Sequence, residues 1–140
     1  MSILGSARQG EQKTVIKFSL SSKSERDVAV IMPRGYLTDI GAHQIEKASE
    51  QFLDRGFKKL IINFSNVELI NTHGISILKS ILRKTSESGC RVCFTNVNKL
   101  HREIFGLTGL VKQRDVFQDE DDAMIYLERT VWSINNKVHL

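Results

Sequence analysis

The fold is decided by residues 59–78, which read KLIINFSNVELINTHGISIL. The first six of these residues form a short apolar run rich in isoleucine, which is typical of a buried strand. From Thr72 the apolar residues repeat at helical spacing as far as Glu87, and Ser88-Gly89 then predicts the helix end. A buried strand followed by a helix with one apolar face predicts that the helix packs on a sheet.

The same alternation of short strands and helices extends in both directions from this stretch. Polar residues at 21–27 and 65–71 predict connections, and Pro33 predicts the end of a strand. The further predicted strands are 14–20, 28–32, 91–97 and 116–117. The further predicted helices lie between Asp39 and the stop at Arg55-Gly56, over 100–105 before a loop at 106–110, and over 119–132.

This order of elements predicts an α/β fold in one domain. Helices between strands act as crossovers, so we expect a mixed, mostly parallel sheet of four to five strands with about four helices. The first two strands have no helix between them and are expected to pair as a hairpin at one edge. We place the domain at residues 13–132, after a disordered N-terminus over 1–12 and before a short C-terminal tail over 133–140.

Composition excludes several classes of protein. With 140 residues, 41% hydrophobic and 26% charged, the chain matches a soluble domain rather than a disordered or fibrous one. No apolar stretch is long enough to cross a membrane, and the N-terminus lacks the basic and apolar regions of a signal peptide. We therefore expect a cytoplasmic protein without membrane insertion. The apolar residues of Val131-Trp132-Ser133-Ile134 permit a homodimer.

The net charge of +4 does not indicate nucleic-acid binding, because it is spread evenly along the chain. Each half holds ten Lys or Arg and eight Asp or Glu, an excess of two positive charges per half. Lys58-Lys59 and Arg83-Lys84 are the longest basic runs, and neither is interleaved with aromatic residues. Phosphate-backbone binding needs cations clustered on one face, so a solvated surface of mixed charge is the better interpretation.

The sequence offers no catalytic constellation, metal site or cofactor motif. Cys90 and Cys93 have the spacing of a redox pair, but in a strand their side chains point to opposite faces, which prevents a disulfide. The four histidines are scattered along the chain and supply no zinc spacing. We expect both cysteines to be buried small hydrophobic residues, and we predict no enzyme activity.

The beginning of the predicted helix at Thr72 is the most informative site. Asn71 and Thr72 are both residues that can cap a helix, and capping alone would explain them. Thr72 could instead present its hydroxyl outward at the positive end of the helix dipole, where a phosphate group is stabilised. A phosphorylated Thr72 would add about −1.5 to −2 charges to the surface around it. Nucleotide or small-ligand binding at the same helix end is a further alternative.

At these residues the sequence resembles the STAS domain family, and in particular bacterial anti-sigma-factor antagonists. The resemblance covers roughly residues 13–130 and depends on the strand 60–64, then 67–70, then Asn71-Thr72-His73-Gly74-Ile75. Gly35-Tyr36-Leu37 and Leu107-Thr108-Gly109-Leu110 add to it. In the family the central motif reads Asp-Ser-Ser/Thr-Gly-Leu, and its first Ser or Thr is the phosphoacceptor.

The resemblance implies a binding module that acts by partner switching in transcription regulation. Thr72 takes the phosphoacceptor position, and the partners implied are an anti-sigma factor, a serine/threonine kinase and a phosphatase. Asn71 replaces the usual Asp, His73 replaces a small residue, and Thr38 stands where many antagonists have an acid, with Asp39 one position later. We therefore list Asn71, His73, Gly74, Thr38 and Asp39 as supporting or docking residues. The alternative is a constitutive STAS scaffold, as in a transporter or signalling complex, in which Thr72 only caps a helix.

Overall fold

The computed structural model describes residues 18–112 and 115–139, with side chains described as far as Arg129. Six strands and four helices lie within these residues. The strands are β1 (Ser19–Glu25), β2 (Val28–Leu37), β3 (Lys59–Asn63), β4 (Asn66–Ile70), β5 (Arg91–Thr95) and β6 (Val116–Phe117). The helices are α1 (Asp39–Asp54), α2 (Thr72–Glu87), α3 (Lys99–Thr108) and α4 (Glu120–His139).

The strands form one mixed sheet in the order β1-β2-β3-β5-β6, with β4 paired to β2 beyond the end of β3. β1 and β2 form the predicted antiparallel hairpin at the sheet edge. All other pairs are parallel, as the crossover helices require. The predicted α/β fold with a mostly parallel sheet is therefore confirmed, with one strand more than predicted.

The hydrophobic core lies on both faces of the sheet, because successive side chains of each strand point to opposite sides. On one face Ala29, Ile62 and Phe94 pack against α1, α2 and α3. On the other face Val30 and Ile61 pack against Ala123 and Leu127 of α4. Continuous apolar strands and one-sided apolar helices follow from this layered arrangement.

Cys90 and Cys93 belong to the two opposite faces, as the strand geometry predicted. Both are free and buried, Cys90 among residues under the α1–α3 layer and Cys93 under α4. Burial raises the pKa of Cys90 to about 11 and that of Cys93 to about 12. These thiols therefore stay protonated at neutral pH and behave as small hydrophobic residues.

Strand β4 and the second half of β2 are the main departures from the sequence predictions. Residues 65–71 were expected to be a connection, but 66–70 form a strand with an irregular register, in which Gly35 pairs with Val67 and Tyr36 with Leu69. The unmatched Glu68 breaks the alternation that would have indicated a strand. β2 also continues through Pro33 to Leu37, because pairing with β3 ends at Ile31 and pairing with β4 begins at Arg34. Pro33 pairs with Leu20 of β1, and on the other side of β2 it lies between the two parallel ladders, neither of which requires its missing N–H.

Smaller corrections concern element ends. Residues 21–25 continue strand β1 rather than forming a turn, since this edge strand is exposed on both faces and so can be polar. α3 continues to Thr108, beyond the predicted end at 105, and stops at Gly109 in a left-handed conformation. α4 continues past the predicted end at 132 to His139. The predicted N-terminus at 1–12, the strand portion 14–17 and the side chains of 131–134 lie outside the described residues.

Candidate functional site

The beginnings of α1 and α2 lie side by side at the carboxyl edge of the sheet. β2 and β4 are parallel, and Leu37 pairs with Ile70 at their carboxyl ends. The backbone N–H of Asn71 donates to the carbonyl of Leu37 at 3.2 Å, which links the two strand ends. Each strand passes directly into its helix, so the first turns of both helices face the same side of the molecule.

Asn71 is the N-cap of α2. Its backbone is extended, and its side-chain Oδ1 accepts a hydrogen bond from the N–H of Gly74 at 2.8 Å. The carbonyl of Asn71 accepts from the N–H of Ile75, the first hydrogen bond of the helix. Asn71 therefore satisfies the orphan backbone donor that a cap has to satisfy.

Thr72 follows the cap as the first residue of the helix, and its side chain is exposed. Within the described part of the chain its hydroxyl has no hydrogen-bond partner, because Asn71 already provides the cap. The exposed Thr72 side chain thus lies at the positive end of the helix dipole. The alternative in which Thr72 serves only as a cap does not match this arrangement.

Gly74 is the position at which α2 comes closest to β2. A Cβ placed on Gly74 would lie 2.5 Å from the carbonyl oxygen of Leu37, which is closer than atoms can approach. Gly74 is buried, whereas the neighbouring His73 is exposed. Gly74 therefore has a structural reason to be glycine, and His73 belongs to the accessible surface beside Thr72.

Thr38 and Asp39 occupy the same positions on α1 that Asn71 and Thr72 occupy on α2. Thr38 has the extended backbone of an N-cap, but its side chain makes no capping hydrogen bond. Asp39 is the first residue of α1 and is exposed. The structure thus brings the predicted residues of both segments to one edge, and places a carboxylate on the helix beside the one that carries Thr72.

An ion-pair network on the surface links α1 and α2. Lys84 of α2 donates to Glu46 of α1 at 2.8 Å, and His43 lies 3.1 Å from the other oxygen of Glu46. The hydrogen bonds from Lys84 and from His43 lower the pKa of Glu46 below its usual value. These contacts join α1 to the last turn of α2, at the end of that helix away from Thr72.

Three exposed apolar side chains lie at the same edge of the sheet as Thr72, and the sequence pattern did not predict them. Ile40, Leu69 and Leu100 are 69%, 50% and 62% exposed, and each lies where a strand passes into its helix. The carboxyl ends of parallel strands meet at one edge, so all three share the edge that carries Thr72. We call Thr72 with these three residues the docking surface. The sequence signal that could have revealed this surface is an apolar residue beside each helix start, where polar residues are usual.

His101 lies between α3 and β4, close to this edge of the sheet. The residue is buried, Asn98 caps its helix by accepting from the His101 N–H at 2.8 Å, and the imidazole interacts with the backbone of Glu68 in β4. Its Nδ1 has no hydrogen-bond partner in the described structure. Burial lowers the pKa of His101 below its usual value, and the Glu68 backbone partly opposes this change. A neutral imidazole therefore fills the space between α3 and β4.

The described residues contain neither a metal-binding cluster nor a membrane-spanning helix. No group of three or more His, Cys, Asp or Glu is arranged to hold a metal ion there. None of the described helices combines the length and apolar character that a membrane crossing needs. This edge of the sheet combines two helix N-termini, the hydroxyls of Thr38 and Thr72, neither of which makes a hydrogen bond among the described residues, and exposed apolar side chains.

A small α/β module that presents a hydroxyl within an apolar surface, at the start of a crossover helix, defines a recognisable class of domain. The model of the STAS domain family matches residues 19–123, so the chain belongs to this family. The resemblance found in the sequence is therefore confirmed.

Individual relatives agree with this assignment. A Thermotoga maritima protein named "Putative anti-sigma factor antagonist" is 27% identical over 104 residues, 74% of this chain and 92% of the relative. The crystal structure of a protein of that description from the same organism superposes with a TM-score of 0.70 at 25% identity, covering 78% of this chain and 94% of the other. The anti-sigma factor antagonist SpoIIAA in its unphosphorylated form shares the fold, with a TM-score of 0.65 at 20% identity over 80% of this chain and 96% of SpoIIAA.

Proposed function

We propose that the chain is a cytoplasmic binding module of the anti-sigma-factor-antagonist type, controlled by phosphorylation of Thr72. The unphosphorylated form binds an anti-sigma factor and so frees a sigma factor for transcription. A serine/threonine kinase phosphorylates Thr72 and breaks the complex, and a phosphatase restores the binding form. The similarity to the Thermotoga relative and the geometry around Thr72 support this proposal.

The free hydroxyl of Thr72 is the observation that carries the proposal. A hydroxyl that caps a helix is occupied by a backbone N–H, and phosphorylation would remove the cap. Here Asn71 makes the capping hydrogen bond, so Thr72 can gain and lose a phosphate while α2 stays intact. The switch would therefore change the charge of the surface without unfolding the helix.

The apolar environment of Thr72 explains how a phosphate would break the complex. A partner that covers Ile40, Leu69 and Leu100 removes water from this edge. A phosphate adds about −1.5 to −2 charges, and burying that charge without a cationic partner is strongly unfavourable. Asp39 on the neighbouring helix start adds repulsion of the same sign. Phosphorylation therefore opposes docking by desolvation and by charge.

Because residue 71 is an asparagine, the base for the phosphoryl transfer has to come from the kinase. An amide can hold the Thr72 backbone in place, but it cannot accept the hydroxyl proton. The Oδ1 of Asn71 already accepts a hydrogen bond from the N–H of Gly74, so the remaining role of Asn71 is to orient the helix start. The kinase would supply the carboxylate that receives the proton.

The first experiment captures the partners and then tests the modification. Affinity purification from the native cell with wild-type chain as bait, and with Thr72→Glu as the matched bait, should recover an anti-sigma factor only with the wild type. The recovered kinase with ATP should add one phosphate to the wild-type chain by intact mass and none to Thr72→Ala. Equal mass gain in both chains would exclude Thr72 as the switch.

A constitutive scaffold is the second candidate function, and Asn71 in place of the usual acid favours it. In that case the chain binds its partner through the same edge without any modification of Thr72. Thr72→Glu would then leave partner recovery unchanged, and no phosphorylated species would appear in the native cell.

A further inference from the structure

A cavity of about 290 Å³ lies at the amino edge of the sheet, opposite the docking surface. It is open to solvent on one side and is lined by the tip of the β1–β2 hairpin, Arg26-Asp27, and by residues 55–59, which run from the end of α1 into β3. Thr72 follows the carboxyl end of β4, so the two places are separated by the length of the strands. A ligand in this cavity would not compete with a partner on the docking surface.

Cations dominate the lining of this cavity. It contains four positively charged side chains and the single carboxylate of Asp27, an excess of three positive charges; the four cations are Arg26, Arg55, Lys58 and Lys59. Arg26 also pairs with Glu128 at 2.9 Å, in a largely exposed contact. Counting Glu128 as well leaves two positive charges unbalanced, so the cavity favours an anion.

Two of the cations have no carboxylate partner within the described residues. The guanidinium of Arg55 lies over the rings of Phe52 and Phe57, 5.2 Å from each ring centre. These cation–π contacts restrain the guanidinium while leaving its N–H donors available. Lys58 donates to the backbone carbonyl of Ser88 at 2.9 Å, a neutral acceptor that does not compensate its charge.

Lys59 provides a buried charge at the base of the cavity. Its side chain is only 9% exposed, and its ammonium lies 2.7 Å from the carboxylate of Asp27, which is itself 68% exposed. The hydrogen bond from Lys59 lowers the pKa of Asp27 below its usual value. Lys59 thus depends on one solvated carboxylate and has further donor capacity for a ligand.

We propose that this cavity binds a small soluble anion carrying a phosphate group. The forked donors of Arg55 suit a tetrahedral oxyanion, and Lys58 and Lys59 add point charges beside it. Asp27 pairs with Lys59 and is the one lining group that would repel the anion. The sequence predicts a solvated surface of mixed charge at Lys58-Lys59, because Arg26 joins these lysines and Arg55 only through the hairpin.

Pyrophosphate is a suitable probe, titrated at constant ionic strength and followed by amide NMR of the full chain. We expect saturable shifts at residues 26–27 and 55–59, with the docking surface unchanged. Arg55→Gln and Lys58→Gln should each weaken binding by about tenfold, since each removes a charge-assisted hydrogen bond. Arg83→Gln is the matched control, because it removes an exposed cation of α2 that does not line the cavity.

Asp27→Asn is an independent test, because this substitution should strengthen pyrophosphate binding rather than weaken it. It should bind pyrophosphate more tightly than the wild type, and pyrophosphate should raise its melting temperature by a larger amount, because the ligand replaces the lost partner of Lys59. The proposal fails if the shifts grow linearly without saturation or if Arg83→Gln weakens binding as much as Arg55→Gln. It also fails if the chain sediments with anionic phospholipid vesicles while ignoring soluble pyrophosphate.

Discussion

Gly74 packs against the carbonyl oxygen of Leu37 so closely that a Cβ at residue 74 would lie 2.5 Å from it. This contact joins the first turn of α2 to the carboxyl end of β2, and it sets the depth at which Thr72 stands on the surface. The position of the candidate switch thus depends on a backbone contact two residues away.

Gly74→Ala is expected to lower the free energy of unfolding by about 1–3 kcal/mol, because the methyl group forces α2 away from β2. Chemical denaturation measures this change. Ser76→Ala, at an exposed position of the same helix, is the control and should stay within about 0.5 kcal/mol of the wild type. Equal stability of Gly74→Ala and Ser76→Ala would contradict the close contact.

Replacing Asn71 by alanine should lower the stability much more than replacing Thr72 by alanine. Asn71→Ala removes the cap of α2 and should cost about 1 kcal/mol of stability. Thr72→Ala removes a hydroxyl without a partner and should change stability by less than about 0.5 kcal/mol. Asn71→Asp keeps an acceptor at the same place and should retain most of the stability. A larger loss for Thr72→Ala than for Asn71→Ala would show that Thr72 is the cap.

His101 should make the folded state sensitive to mild acid. Burial lowers its folded-state pKa, so the unfolded chain takes up the proton first as the pH falls. The stability is fully present above the unfolded pKa of about 6.5 and declines as the pH falls from there through the lower folded pKa. Denaturation curves measured across this range should show the decline in the wild type and not in His101→Gln. The matched variant His43→Gln, at an exposed histidine, should show the same decline in stability as the wild type.

The exposed apolar residues of the docking surface should contribute to binding and not to folding. Leu69→Ser and Leu100→Ser are expected to weaken partner binding by at least about fivefold, because each removes apolar area that the partner covers. Ile125→Ser is the matched control: Ile125 is also 50% exposed, but it lies on α4. Calorimetric titration with the captured partner distinguishes the variants, and an equal loss for Ile125→Ser would contradict the placement of the surface.

The sequence predicted those elements whose pattern is strong and local. The stripe of Ile75, Leu78 and Ile81 with the stop at Ser88-Gly89 gave the bounds of α2, and the buried run after Lys59 gave β3. β4 was missed because the unmatched Glu68 interrupts its alternation. Such a bulge depends on the partner strand, which local periodicity does not reveal.

The site was predictable only where its residues are neighbours in the chain. Asn71, Thr72 and Gly74 form one short motif, so both the cap and the exposed hydroxyl could be expected there. Leu69 and Leu100 meet at one edge only because β4 and β5 are parallel, and Arg26 joins Lys58-Lys59 only through the hairpin. The division of roles between Asn71 and Thr72 also required the structure, since either residue type can cap a helix.

The most direct test of the proposed switch is the affinity of the captured partner for wild-type chain before and after stoichiometric phosphorylation, with Thr72→Ala treated in parallel. We expect the phosphate to weaken binding by at least about a hundredfold, because a buried uncompensated charge costs several kcal/mol. The affinity of Thr72→Ala should be the same before and after the kinase treatment. Equal affinity of the phosphorylated and unphosphorylated wild-type chains would contradict the switch and leave the constitutive scaffold.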